Sequence, residues 1–287
     1  MRKFSIRFTV RRLMLIVALA AVPFALWSSW FSPVRQWQRA INDDQDGPRR
    51  WWALTQIWNG NSGTIDRSTA LATLIDATRS PSFRVRETAV TGLGQFRTSA
   101  STVAPVLIEA LSDPEAEVRR RAAAVLLAVL APDDERREDA IPELRKRLGD
   151  DSRAVREQAA VTLAEFGHGP EALPVLLSAL RQTDNLSPSH ALWAIGRIGP
   201  PVADEALPEV QALAARVEST QAPDLRRFLR VYAAEARVKL GDRDGGFATL
   251  QALADGNDVD LAGEARKIMA REGFEQAGDD RETAPAS

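Results

Sequence analysis

The sequence predicts an all-α chain, an α-solenoid of stacked helical hairpins preceded by one transmembrane helix. Three observations carry this reading. A thirteen-residue line, V-R-E-Q-A-A-V-T-L-A-E-F-G from Val155 to Gly167, has relatives starting at Val85, Val118, Ser187, Leu229 and Leu261, spaced 33, 37, 32, 42 and 32 residues apart. A period of that size belongs to a stack of two-helix units and not to one compact core. Within the line, offsets 0, 4, 8 and 11 are mostly apolar, which is the spacing of one helical face. The third observation is an uncharged run of 22 residues, Leu13 to Val34. As a helix it reaches about 33 Å, enough for the hydrocarbon core of a bilayer.

Residues 1–12 form a basic segment with Arg2, Lys3, Arg7, Arg11 and Arg12 and no acid. Residues 13–34 then read as a signal-anchor helix, with Trp27 and Trp30 where aromatic belts form and Pro23 as a kink. A cleaved signal peptide is the competing reading, because Ala18-Leu19-Ala20 supplies small residues for a signal peptidase. Cutting there would leave the apolar stretch Ala21 to Trp30 exposed. Five basic residues precede the span and only Arg35 and Arg39 follow it closely, which predicts a cytoplasmic amino end. The chain is thus expected to be a single-pass membrane protein with its array on the extracytoplasmic, periplasm-like side.

Residues 35–63 read as an atypical capping repeat and loop. Its second helix runs from Pro48 to Trp58, with Trp51, Leu54 and Trp58 at core spacing, and terminal repeats commonly depart from the pattern. Residues 64–274 form the array of about five repeats. In each, a helix carrying a proline expected in its first turn (Pro105, Pro142, Pro174, Pro208) precedes the repeated line. Paired small residues at offsets 4 and 5, such as Ala159 and Ala160, let a neighbouring helix approach. Gly167, Gly199, Gly241 and Gly273 close four lines at offset 12, the place of a helix C-cap. Residues 275–287 carry charges, Ala and Pro without a stripe and read as a disordered tail.

The stretches D-P-E-A-E-V-R-R-R-A-A-A from Asp113 and D-D-S-R-A-V-R-E-Q-A-A-V-T-L from Asp150 resemble the HEAT-like repeats, in the short form first recognised in phycobilin lyases. The resemblance covers roughly residues 64–274. It implies stacked HEAT-like hairpins whose second helices line a concave surface, and it admits scaffolds, adaptors and a few lyases.

Composition narrows the chemistry. The chain has no cysteine, which leaves no disulfide, thiolate nucleophile or cysteine zinc site. Its net charge is −2, and the first twelve residues contribute +5. The remainder is mildly acidic, a poor match for a phosphate backbone, so nucleic acid is not expected. His168 and His190 lack ligand-spaced companions, and His168 reads as a loop residue. G-L-G at Gly92 lies inside a helix and reads as packing. Arg86, Arg119, Arg156 and Arg230 all stand at offset 1 and read as a structural ladder between turns, the alternative being a receptor for acidic ligands. Asp133 to Asp139 reads as a solvated loop.

Offsets 2, 3, 6 and 10 face away from the stripe. They carry Glu87, Gln95, Arg120, Arg121, Glu157, Glu165, His190, Trp193, Arg197, Tyr232, Glu235 and Lys239. Aromatics beside arginine are common interface anchors, and the competing reading packs Trp193 on the next repeat. The expectation is a membrane-tethered scaffold that binds an unidentified protein partner through this face, without catalysis, cofactor or metal. A lyase-like enzyme on the same fold, or an exported soluble array after cleavage, is the alternative.

Overall fold

The computed structural model describes residues 66–182, 187–218 and 227–273. The segments 1–12, 13–34, 35–63 and 275–287, with the expected anchor, capping repeat and tail, lie outside the described residues. Among the described residues no helix is long and apolar enough to cross a membrane.

The chain divides into two compact units, residues 1–106 and 107–287. In the first, α1 (Arg67–Ala77) and α2 (Phe83–Leu93) pack as a hairpin. Asp66 caps α1 by accepting from the Ser68 and Thr69 amides. Gly92 lies inside α2 against Leu74, where a Cβ would come within 2.9 Å of the leucine. The helix-packing reading of Gly92 therefore holds. Helix α3 (Ala100–Ala110) spans the boundary between the units.

The second unit continues through α4 (Ala116–Val129), α5 (Arg136–Arg147), α6 (Arg153–Glu165), α7 (Gly169–Leu180), α8 (Ser187–Ile198), α9 (Ala203–Glu218), α10 (Arg227–Lys239), α11 (Arg243–Ala254) and α12 (Val259–Arg271). The even-numbered helices are the repeated lines. They lie side by side, α4 against α6, α6 against α8, α8 against α10 and α10 against α12. The predicted stripe is what they bury: Val118, Ala122, Leu126 and Val129 on α4, then Val155, Ala159, Leu163 and Phe166 at the next line, are all in the core. Ala123, Ala160 and Ala234 at offset 5 are essentially inaccessible, as close helix approach requires.

The four glycines at offset 12 have φ of 90°, 75°, 102° and 73°, the left-handed conformation that ends a helix without a Cβ clash. At Gly167 the geometry is a Schellman turn. The Gly167 amide donates to the Ala164 carbonyl at 3.2 Å and the His168 amide to the Leu163 carbonyl at 2.9 Å.

Two local expectations are corrected. The prolines stand one turn deeper than expected, at the sixth or seventh residue of α3, α5, α7 and α9. All four are exposed, so the carbonyl each one leaves without an amide partner can turn to water. The Asp133–Asp139 cluster is not wholly a loop, because α5 begins at Arg136. Arg137 donates to the carbonyls of Glu165 and Leu130, each at 3.0 Å, and its guanidinium lies 4.5 Å from the Phe166 ring centroid. Arg67 repeats this arrangement in the first unit, on the Gln95 carbonyl and the Phe96 ring. An arginine entering the first helix of a hairpin thus closes the end of the second.

The offset-1 arginines are structural. Three of them donate to the two carbonyls five and six residues upstream, Arg86 to Ser80 and Pro81, Arg119 to Asp113 and Pro114, Arg156 to Asp150 and Asp151. Arg119 also reaches the next turn. Its Nε and Nη2 meet both carboxylate oxygens of Asp150 at 2.8 and 2.7 Å, and Nη2 meets Asp151 at 2.6 Å. Arg119 and Asp150 are both buried. Burial by itself would raise the Asp150 pKa, but the Arg119 hydrogen bonds and the Ser152 amide hold it down, at about 2.

Candidate functional site

Helix α8 carries Trp193 and Arg197 four residues apart, so both project from one face. Trp193 is 42% exposed, so part of the residue is covered and part stands open to the groove. On the neighbouring α10, Phe228 and Tyr232 have the same spacing. The two helices come close at Gly196, where a Cβ would lie 3.2 Å from the Lys239 side chain and 3.6 Å from the Ala236 Cα. That approach forms the floor of a groove of about 820 Å³.

Four helices contribute to the groove. Glu165 comes from the end of α6. Ser189, His190, Leu192, Trp193, Gly196 and Arg197 come from α8, and Phe228, Tyr232, Glu235, Ala236 and Lys239 from α10. Glu264 and Arg271 come from α12. The structure therefore brings together Glu165, His190, Trp193, Arg197, Tyr232, Glu235 and Lys239.

Arg120, Arg121 and Glu157 stand elsewhere. Arg120 and Arg121 turn to Glu117 on their own helix, with Arg120 Nε 2.9 Å from Oε2 and Arg121 Nε 3.5 Å from Oε1. Glu157 accepts from Arg153 Nε at 2.7 Å and is half-buried. Glu87 and Gln95 belong to α2 and the turn after it, in the first unit.

Charge in the groove is organised by ion pairs. Glu235 is nearly buried and accepts from Lys239 Nζ and from Arg271 Nη2, the latter at 2.7 Å. Glu272 lies 3.7 Å from Lys239 and 3.3 Å from Arg271. Glu264 pairs with Lys267 at 3.2 Å. At the other end Arg197 Nε donates to Glu165 Oε1 at 2.8 Å.

Glu264, Arg271 and Phe228 are absent from the sequence-derived face. The signal for the first two was present, because they stand at offsets 3 and 10 of the last line, the offsets of Tyr232 and Lys239. Phe228 precedes its line by one residue and carries no such mark.

His168 sits in the turn before α7. Its Nδ1 is 3.4 Å from Glu171 Oε1 and 3.3 Å from Arg145 Nη2. The Arg145 guanidinium holds the Glu171 carboxyl down, at about 2. Among the described residues no group of three or more His, Cys, Asp or Glu could hold a metal ion.

Comparison with known proteins gives the fold its setting. The complex of CpcE and CpcF of phycocyanin lyase from Nostoc sp. PCC7120 is similar over 71% of this chain and 77% of that one, at 24% identity and a TM-score of 0.52. The E. coli protein YibA is similar over 86% and 92%, at 16% identity and 0.51. A Kap121p mutant matches 80% of this chain with 26% of its own length, at 15% identity and 0.55. No curated protein sequence matches. The expectation of an array without catalysis is corrected by the first of these. A fold shared with a phycocyanin lyase subunit gives no ground for excluding an enzyme.

A family profile described as HEAT repeats matches residues 37–128, 104–187 and 141–234. Those matches span well over half of the 287 residues, and they take in α6, α8 and the first half of α10 on the groove. The chain belongs to the HEAT-repeat family.

Proposed function

We propose that the array binds a polypeptide segment of a partner protein in the α8–α10 groove and is held at a membrane by residues 13–34. The observation that carries the binding role is the exposure of Trp193 beside Tyr232 and Phe228 in a groove of about 820 Å³. An exposed tryptophan with half-buried aromatics beside it in a cleft, rimmed by charged pairs, has the composition of an interface anchor. The tether rests on the uncharged run Leu13 to Val34 behind five basic residues, and the asymmetry of basic residues puts the array on the far side of the membrane.

One variant tests the binding role. Central aromatic anchors carry about 2 kcal/mol or more each, so Trp193→Ala is expected to weaken partner capture roughly thirtyfold. Its melting midpoint should move much less than that of a core variant, because the residue is 42% exposed. A buried tryptophan would instead lose about 3–5 kcal/mol of stability on truncation. A collapsed midpoint, or unchanged capture, overturns the assignment. Visible absorption by the purified chain would point to a bound tetrapyrrole and to the lyase-like alternative.

A further inference from the structure

We infer that the groove selects segments in which a carboxylate lies one helical turn from a large apolar side chain, the carboxylate going to Arg197. This deepens the binding role proposed above and rests on it. The inference comes from the state of the cations in the groove. Lys239 and Arg271 converge on Glu235 and both lie near Glu272; the Lys239 side chain is only 22% exposed, and Arg271, though 57% exposed, has both Nε and Nη2 engaged. Arg197 is different. Its side chain is 55% exposed and only its Nε is engaged, on Glu165. Its two terminal nitrogens make no hydrogen bond among the described residues.

Glu165 is moreover shared. Arg137 donates to its main-chain carbonyl, and the Glu165 carboxylate works against the burial that lowers the Arg137 pKa. Asp134 and Asp133 act on Arg137 as well, so the demand on Glu165 comes chiefly from Arg197, which meets it through Nε. A guanidinium with an open planar edge is suited to a second carboxylate, which it can hold through two parallel hydrogen bonds. Trp193 stands one helical turn before Arg197. A ligand side chain covering the indole therefore presents its own next turn, about 6 Å on, to the open edge. An amphipathic helix with Glu four residues from Leu has that spacing and lays one face into a groove.

The test uses the full chain in detergent and three fluorescein-labelled sixteen-residue helical peptides. They are identical except for Glu, Gln or Lys at the position four residues after a central Leu. Anisotropy titration is expected to rank Glu at least tenfold tighter than Gln, with Lys weakest. Arg197→Gln should abolish the Glu-over-Gln preference. Arg197→Lys should keep part of the preference, and it serves as the reading if the Gln variant lowers the melting midpoint. Equal binding of the Glu and Gln peptides, lost in Trp193→Ala, overturns this inference and leaves the groove as a binding site. If none of the three peptides binds, this inference and the binding role fall together.

Discussion

Arg119→Ala is expected to destabilise the array by about 3 kcal/mol, because it leaves the buried Asp150 carboxylate with the longer 3.3 Å contact to Arg147 Nη1 in place of its bidentate partner. The wild-type pair is bidentate, at 2.8 and 2.7 Å, and both side chains are buried. The Arg119 Nη1 bonds to the Asp113 and Pro114 carbonyls vanish with it, so the turn before α4 loosens as well. Urea unfolding of the two proteins measures the difference. Removing the charge too, in Arg119→Ala with Asp150→Ala, should recover part of the loss.

Acid titration gives the same pair a second readout. The folded pKa of Asp150 is lowered from its ordinary 3.8 to about 2. The folded state therefore binds fewer protons than the unfolded chain in that interval, and stability rises with pH across it. The contribution is complete above about pH 4 and is lost as pH falls through about 2. Arg119→Ala should flatten this dependence. A stability difference below about 1 kcal/mol at neutral pH, the size of an exposed ion pair, would show that the ladder does not hold one turn to the next.

Ala160→Glu has an effect of comparable size through a different cause. Ala160 is completely inaccessible on α6, with α4 and α8 packed alongside. A glutamate there must either carry an unpaired charge into the helix contact or push the helices apart, and the cost is more than about 3 kcal/mol. Glu157→Ala, one turn earlier, removes a half-buried carboxylate that pairs with Arg153 at i,i+4 and should cost less than about 1 kcal/mol. Equal effects of the two substitutions would mean that the buried and outward offsets are wrongly assigned.

Register is what the sequence carried best, and the reason is local. A helix reveals its buried face through side-chain spacing within four turns, and the offset-12 glycines mark its end through their own backbone conformation. The outward offsets followed from the same count, which is why seven of the expected face residues meet in one groove. The helix starts were less legible. A proline is compatible with a second turn when it faces solvent, as Pro105, Pro142, Pro174 and Pro208 do, so its presence does not mark the first. Pairings across repeats were the least legible. Arg119 finds Asp150 at a separation of 31 residues and Arg137 finds the Glu165 carbonyl at 28, distances at which no periodicity of one helix bears on the partner. Arg120 and Arg121, expected on the binding face, are a different case, because their partner is local. Their offsets point outward, but a neighbouring Glu117 on the same helix takes both.

Photo-crosslinking in intact membranes identifies what occupies the groove. A benzophenone amino acid placed at position 193 of the full chain reacts only with what lies within a few ångströms of the groove, and the same group at the exposed Ala252 on α11 reports the general surface. The account predicts a discrete polypeptide adduct from position 193 that is absent from position 252 and that disappears when Tyr232 and Phe228 are both changed to alanine. No adduct from position 193, or the same adducts from both positions, would contradict it.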